Sequence, residues 1–339
     1  MNKNCYLEQS QNGNGIFIMD IQKTELPVRI GISSCLLGER VRYDGGHKRN
    51  DYLTDVVSRF VEWVPVCPEA ESGMGIPRKP IQLTQLGDDI LVLTKDGVDY
   101  TEVVDKFAEQ RIRTLERAKL SGYILKSRSP TCGMVQVPII QPKTITLRKG
   151  RGIYANRLIK AFPYLPIEED IRLQNPRFRE NFITRVFAYY RWLQLIETEL
   201  TRKSLMDYHR SYKYLLMAHS QVGTRRLGRL LARPEFYNTT EELADAYLQE
   251  FTKVMKRSPA RKNHTNVLQH MAGYISNKLN STTRQELNRM IQKYNEGSLP
   301  LIVPVVMLRH FVREFNITYL QDQTYLHPFP GELMLLNQL

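Results

Sequence analysis

The rhythm of apolar positions changes once along this chain, near residue 175. Before that point, short unbroken apolar runs alternate with longer amphipathic stretches. After it, only the amphipathic stretches remain. Unbroken runs of about four to eight apolar residues bounded by turn formers predict strands buried on both faces, and these fall at 28–34, 62–67, 89–94 and 122–127. Helical spacing predicts helices over 51–60 and 101–120, the second with Val104, Phe107, Ile112 and Leu115 on one stripe and Thr101 as its cap. A helix near 152–161 and the run 164–167 close the series. Strands alternating with helices predict an α/β N-terminal domain with a mainly parallel sheet covered by helices on both faces.

From residue 175 onward the pattern predicts helices at 178–200, 204–220, 241–257, 265–279, 282–294 and 301–315, the last interrupted by Pro304, with Gly297 and Pro300 marking the final link. This half reads as an all-α C-terminal domain without an internal repeat. The 339 residues divide into a flexible N-terminal extension (1–26), an α/β domain (27–168) and a helical domain (169–339). The polar start holds no apolar stretch long enough for a signal or a membrane span, so a cytoplasmic protein is expected, without membrane contact.

Charge separates the two halves further. Residues 151–339 hold 27 Lys and Arg against 17 Asp and Glu, a net of +10, whereas residues 1–150 hold 21 against 18. A basic excess gathered in one part points to a polyanion, nucleic acid before acidic lipid. A merely solvated basic face is the plain alternative.

Four cysteines in so long a chain are no disulfide scaffold. Cys5 lies in the polar extension and reads as a bystander. Cys35 stands in Ser33-Ser34-Cys35-Leu36-Leu37-Gly38, Cys67 in Val64-Pro65-Val66-Cys67-Pro68-Glu69, and Cys132 in Lys126-Ser127-Arg128-Ser129-Pro130-Thr131-Cys132-Gly133. Each follows a predicted strand, and the carboxyl ends of strands in an open α/β sheet are where such folds keep their ligands. There is no Cys-x-x-Cys pair, so the zinc-ribbon and ferredoxin spacings are missing, and three inert packing thiols are the plain alternative. Polar turns around each thiol favour a site. Zinc held by three Cys with His47, or a cubane iron-sulfur cluster with three protein ligands and one iron left open to substrate, both fit the residues.

These motifs carry a resemblance. Ser34-Cys35-Leu36-Leu37-Gly38 with Arg42-Tyr43-Asp44-Gly45-Gly46-His47, Pro65-Val66-Cys67-Pro68-Glu69 with Gly73-Met74-Gly75-Ile76-Pro77-Arg78, and Lys126 to Gly133 stand in the order of the thiouracil desulfidase (TudS-like) family, which about residues 28–165 closely resemble. The second half, with Leu216-Met217-Ala218-His219-Ser220, Arg261 to Met271 and Pro300-Leu301-Ile302-Val303-Pro304, looks like the YbgA-like domain, and the fusion resembles the RudS-type tRNA thiouridine desulfidases. The resemblance implies a 4Fe-4S cluster with three Cys ligands, Cys35, Cys67 and Cys132, its fourth iron without a protein ligand. It also implies proton handling by Glu69 and Ser129. Glu71 is an extra acid in the loop after Glu69, so the choice between the two stays open. The activity implied is non-redox removal of sulfur from tRNA thiouridine, with 4-thiouridine set ahead of 2-thiouridine. A desulfidase of free thiouracil with a structural C-terminal domain, and a metal-bearing RNA-binding protein without turnover, are the alternatives.

Asp44, His47 and Arg42 follow Cys35 closely enough to line the mouth of the same site and touch substrate, although a loop in solvent is their plainer reading. In the helical half, Lys253, Lys256, Arg257, Arg261, Lys262 and His264 cluster before and at a helix start, where phosphates are already attracted. Tyr208, His209, Arg210, Tyr212 and Lys213, followed by Arg225, Arg226 and Arg229, make a second basic and aromatic cluster of the kind that tracks an RNA backbone. The same spacing puts Tyr212, Leu215, Leu216 and His219 on a core face instead. The partner expected is tRNA, and assembly as a homo-oligomer is left open.

Overall fold

The computed structural model describes residues 27–141, 148–198 and 200–337; the expected extension at 1–26, with Cys5, lies outside the described residues. Two four-stranded sheets form the N-terminal half. The first contains β1 (Arg29–Ser33), β2 (Glu62–Val66), β5 (Gly122–Leu125) and β8 (Ile167–Glu169), all parallel, in the order β2-β1-β5-β8. The second contains β3 (Ile81–Leu86), β4 (Asp89–Thr94), β6 (Val137–Ile140) and β7 (Arg148–Gly150), in the order β4-β3-β6-β7. In it β3 and β4 form an antiparallel hairpin, and β6 runs parallel to β3. The run 89–94 is therefore a strand, as its pattern predicts, but it belongs to the second, mixed sheet. Its partner β3 carries Gln82, Thr84 and Gln85 among its apolar residues, which hides it from a search for unbroken apolar runs.

Alternation along the parallel strands sets the two faces of the first sheet. Val66, Tyr123 and Leu125 pack against α1 (Thr101–Arg117) and α2 (Ile153–Ala161) through Ala108, Leu115, Tyr154 and Leu158. Ile30, Ile32 and Ile124 face the other way, into a core shared with Phe182 and Val186 of α3 (Pro176–Thr198). Gly31 is required here because a Cβ would stand 2.2 Å from the Tyr123 ring. Thr101 does not cap α1 but is its first residue: its N–H and hydroxyl donate to Asp99, and its Oγ1 accepts from the N–H of Val92. The expected helix at 51–60 is a wide turn, Tyr52–Val56, running into a 3-10 turn, Val57–Arg59.

The C-terminal half is helical throughout: α4 (Arg202–His219), α5 (Gln221–Leu231), α6 (Thr240–Met255), α7 (Arg261–Ile275), α8 (Ser281–Glu296), α9 (Ile302–Glu314) and the short α10 (Thr318–Gln321). Thr201, Ser220, Thr239 and Asn280 accept from first-turn N–H groups and so fix four of these starts. Ser220 also ends α4, so α5 follows without a loop and is absent from the pattern-based set. Pro304 does not interrupt α9; it lies in the first turn, where its missing N–H has no partner to lose. One apolar core runs from β1 through α3 into this helical half.

Candidate functional site

The strand order decides where the thiols go. β2, β1 and β5 are adjacent and parallel, so the residues that follow them emerge side by side at one carboxyl edge. Cys67 comes directly after β2. Cys35 sits in the 3-10 turn Ser34–Leu37 after β1. Cys132 ends the turn that follows β5. All three are free thiols, Cys35 and Cys132 buried and Cys67 half-buried. Each carries the electrostatic influence of a neighbour: Cys67 acts on both Cys35 and Cys132. Burial, and then the charge of Cys67, push the Cys35 thiol up to about 12. Burial pushes Cys132 up strongly as well, and Cys67 in the same direction.

Hydrogen bonds and cations at the edge work against that burial. The Ser33 hydroxyl and the Thr131 hydroxyl, 3.6 Å from Sγ, stabilise a Cys132 thiolate, and the backbone N–H groups of Ala70 and Glu69 do the same for Cys67. Lys126 and Arg42 lower the Cys35 thiol, and Arg78 lowers Cys67. The bare thiols are thus held protonated by desolvation and by one another, within a shell that favours the thiolate. A cationic group placed among them supplies what is missing, and its entry releases protons. Among the described residues, no three or more His, Cys, Asp or Glu side chains close on a single ion position. His47 makes no fourth ligand to zinc: it is exposed, and its Nδ1 accepts from the N–H of Arg49 at 3.2 Å. Three sulfur donors from adjacent strand ends suit a polynuclear iron-sulfur group, whose ligands are spread around it rather than aimed at one point.

Beside the thiols lies a carboxylate. Glu69 Oε2 accepts from Arg78 Nη2 at 2.6 Å and Nε at 3.2 Å, an ion pair in which both side chains are largely buried. Glu69 Oε1 accepts from the Thr131 hydroxyl at 2.9 Å and from Ser129 Oγ at 3.3 Å. Ser129 Oγ in turn accepts from the N–H groups of Thr131 and Cys132, so the same hydroxyl shapes the turn that presents the third thiol. Arg78 also donates to the carbonyls of Val41 and Gly75, tying the loop after Cys35 to the loop after Cys67. Glu71 points elsewhere, accepting from the Cys67 N–H at 2.6 Å and approaching Arg111. Arg78, Thr131 and Ser33 are the members that motif reading missed; all three lie inside or beside the quoted motifs, but nothing local distinguishes them from turn residues.

A 2-thiouracil desulfurase family model matches residues 30–170, and a model of a protein family of unknown function, DUF1722, matches residues 213–330. The YbgA protein of Escherichia coli is 32% identical over 159 residues, which cover 47% of this chain and 94% of that protein. The YbbK protein of Bacillus subtilis is 31% identical over 147 residues, 41% of this chain and 94% of that protein.

The chain belongs to the 2-thiouracil desulfurase family, fused to a DUF1722 region.

A solved structure of a 4Fe-4S-dependent thiouracil desulfidase, TudS, is 26% identical, with a TM-score of 0.36, and the match covers 43% of this chain and 93% of that one.

In the desulfurase half, Asp44 and His47 are exposed and turned to local partners: Asp44 accepts from the N–H of Gly46 and pairs with Arg42 at 3.6 Å. The Gly46 N–H, before any side chain, holds the Asp44 carboxyl below the usual carboxylate range. Of this loop, Arg42 acts on a thiol: it lowers Cys35.

In the DUF1722 half, Tyr208 and Tyr212 are not free to stack on bases. They are buried with Trp192, Tyr247 and Phe251 in one aromatic cluster. His209 is hydrogen-bonded to Tyr247, and His219 and His264 are buried. Lys253, Lys256, Arg257 and Lys262 are exposed around the turn from α6 to α7, while Arg261 lies on the Tyr294 ring and donates to that residue's carbonyl. Arg225 is exposed, and Arg226 pairs with Glu250 at 2.8 Å.

Proposed function

We propose that this protein removes sulfur from thiouridine in tRNA without net redox change, at a site formed by Cys35, Cys67, Cys132 and Glu69. The observation that carries this reading is the meeting of the three motifs at the carboxyl edge of β2-β1-β5, with the Glu69 carboxylate hydrogen-bonded to the residue before Cys132. The three cysteines would hold a 4Fe-4S cluster, which when bound supplies a Lewis-acidic iron able to draw electrons from a thiocarbonyl carbon. Glu69 takes a proton of the water whose oxygen bonds to that carbon; the C–S bond then breaks and sulfur leaves at the sulfide level as hydrosulfide, so no electrons are gained or lost. Ser129 and Thr131 aim Oε1 of Glu69, and the Ser129 hydroxyl relays a proton or holds the ring. Arg78 fixes the other carboxylate oxygen. Arg42, Asp44 and His47, on the loop that follows Cys35, meet the substrate in this reading. Of the two acids, Glu69 is the proton acceptor in this reading, because Glu71 is engaged with the backbone of Cys67.

The basic surface of residues 169–339, with Lys253, Lys256, Arg257, Arg261, Lys262, Arg225 and Arg226, offsets the few kcal/mol needed to turn a stacked base outward. We place 4-thiouridine ahead of 2-thiouridine and the enzyme in the cytoplasm; no described helix is long and apolar enough to cross a membrane.

Anaerobic purification followed by incubation with thiolated tRNA tests the reading. The expected result is a brown protein and loss of the thiouridine absorbance. Cys132→Ala loses both colour and turnover, whereas Glu69→Gln keeps the colour and loses turnover by about 100-fold or more. Loss of absorbance only with free thiouracil assigns the free base as substrate instead, and a Cys132→Ala protein that still turns over refutes the scheme.

A further inference from the structure

At the end of α5 the surface opens into a cavity of about 370 Å3 lined by Arg226, Arg229, Leu230, Arg233, Phe236 and Tyr237. Arg226 and Arg229 fall at i and i+3 on one side of the helix, and Arg233, two residues beyond its last turn, lines the same cavity. A tight turn, Pro234–Phe236, then folds the chain back, with the N–H of Phe236 donating to the carbonyl of Arg233 and that of Tyr237 to Pro234. This turn holds Phe236 outward at 72% exposure. A phenylalanine so exposed, beside three arginines as well as Leu230 and Tyr237, contributes little to the core and much to a surface.

The charges are not used up locally. Glu250 pairs with Arg226, and Glu235 stands in the same turn, exposed. Arg229 and Arg233 make no ion pair among the described residues. Two uncommitted guanidinium groups beside an exposed aromatic face match a phosphate joined to a flat ring. The room available suits one base, not a double helix.

We infer that this cavity is a nucleotide-binding site for one unpaired nucleotide of an RNA strand, its base stacked on Phe236 and its flanking phosphates held by Arg229 and Arg233. The inference rests on the RNA-acting reading above and deepens it. It assigns the strand-gripping role to a defined stacking pocket rather than to diffuse charge. Single-strand recognition of this kind joins an electrostatic groove to a stacking platform and tolerates base identity.

The test is fluorescence anisotropy of the full-length, anaerobically purified protein with a labelled oligouridylate, with an abasic strand of equal charge, and with a blunt RNA duplex. Wild-type protein is expected to prefer the oligouridylate over both. Phe236→Ala should lose about tenfold on the oligouridylate and nothing on the abasic strand, and Phe236→Trp should restore the preference. Arg229→Ala with Arg233→Ala should weaken both single strands and flatten the dependence of log affinity on log salt by about 1 to 1.5. Unchanged thermal melting of these exposed-site variants certifies their fold. A Phe236→Ala protein that binds the oligouridylate like wild type overturns the pocket, as does equal wild-type affinity for the oligouridylate and the abasic strand. So does competition by polyglutamate as effective as by oligouridylate, which marks a general anion surface. If wild type desulfurates tRNA while the variants bind like it, only the pocket falls; if wild type binds no RNA, the tRNA reading falls with it.

Discussion

A carboxylate that accepts from a guanidinium on one oxygen and from two hydroxyls on the other has little freedom of direction left, and Glu69 is in that position. Its partners are unequal. Ser129 spends both lone pairs on backbone N–H groups, so its removal disturbs the Cys132 turn as well as the acid. Thr131 is fully buried and donates to Glu69 at 2.9 Å, with Cys132 Sγ only a distant second acceptor at 3.6 Å and, among the described residues, no backbone N–H resting on its hydroxyl, so Thr131→Val is the cleaner probe. We expect Thr131→Val to keep the brown chromophore and to lower turnover by roughly tenfold, the scale of one lost hydrogen bond to a charged group; unchanged turnover at full iron content removes Thr131 from the site. Arg78→Ala leaves the largely buried carboxylate of Glu69 unpaired, which costs about 3–5 kcal/mol, and it releases the Val41 and Gly75 carbonyls. Chemical denaturation reads that loss, and Arg78→Lys should recover only part of it, because an ammonium makes no two-pronged contact.

At the scale of elements, the third thiol is held by a helix more than by its own strand. The N–H groups of Gly152, Ile153 and Ala155 at the start of α2 donate to the carbonyls of Gly133, Pro130 and Thr131, so the turn bearing Cys132 closes the unpaired end of that helix. Gly152 has to be a glycine, since a Cβ there would stand 2.4 Å from the Thr131 carbonyl oxygen. Gly152→Ala should therefore push the turn away, lowering iron per protein after reconstitution while the far-ultraviolet circular dichroism stays near wild type. Full iron loading in Gly152→Ala uncouples α2 from the site. Motif reading places Cys132 but not this support, because Gly152 lies 20 positions away and has no partner visible along the chain. The second sheet was equally hidden, since β3 mixes polar and apolar residues and β7 is three residues long.

For the molecule as a whole, α3 joins the halves. It covers the second face of the parallel sheet and also packs into the helical core, so one apolar cluster spans both. Inside that core, Glu180, His219 and His264 line a cavity of about 20 Å3 with Tyr325. His219 gives its Nδ1 proton to the Arg257 carbonyl at 2.5 Å, and its Nε2 has no hydrogen-bond partner. Burial lowers His219 to about 4 and His264 to about 3, and it raises Glu180 to about 7. For the depressed histidines the unfolded chain binds more protons, so stability is present above about pH 6.5 and lost as pH falls through a window that reaches about 4 for His219 and about 3 for His264, by a few kcal/mol each. Glu180 acts in the opposite sense: its contribution is full below about pH 4.5 and is lost as pH rises through about 7. Denaturation midpoints at several pH values should show His219→Gln flattening the acid loss, and Glu180→Gln steepening it while removing the decline near neutral pH. Parallel curves for wild type and both variants would show that these groups titrate alike folded and unfolded.

The sequence by itself determined β1, β2, β4, β5 and α1 of the first half, the helical nature of the second, and the three cysteine turns, because apolar periodicity and turn chemistry are local and survive in one dimension. Only the tertiary structure decided that Glu69 faces Ser129 and Thr131 while Glu71 turns to the backbone, that Tyr208 and Tyr212 are core, and that Arg229, Arg233 and Phe236 share an open cavity. Those outcomes depend on which strand lies beside which and on which face of a helix is covered, and no stretch of neighbouring residues encodes either.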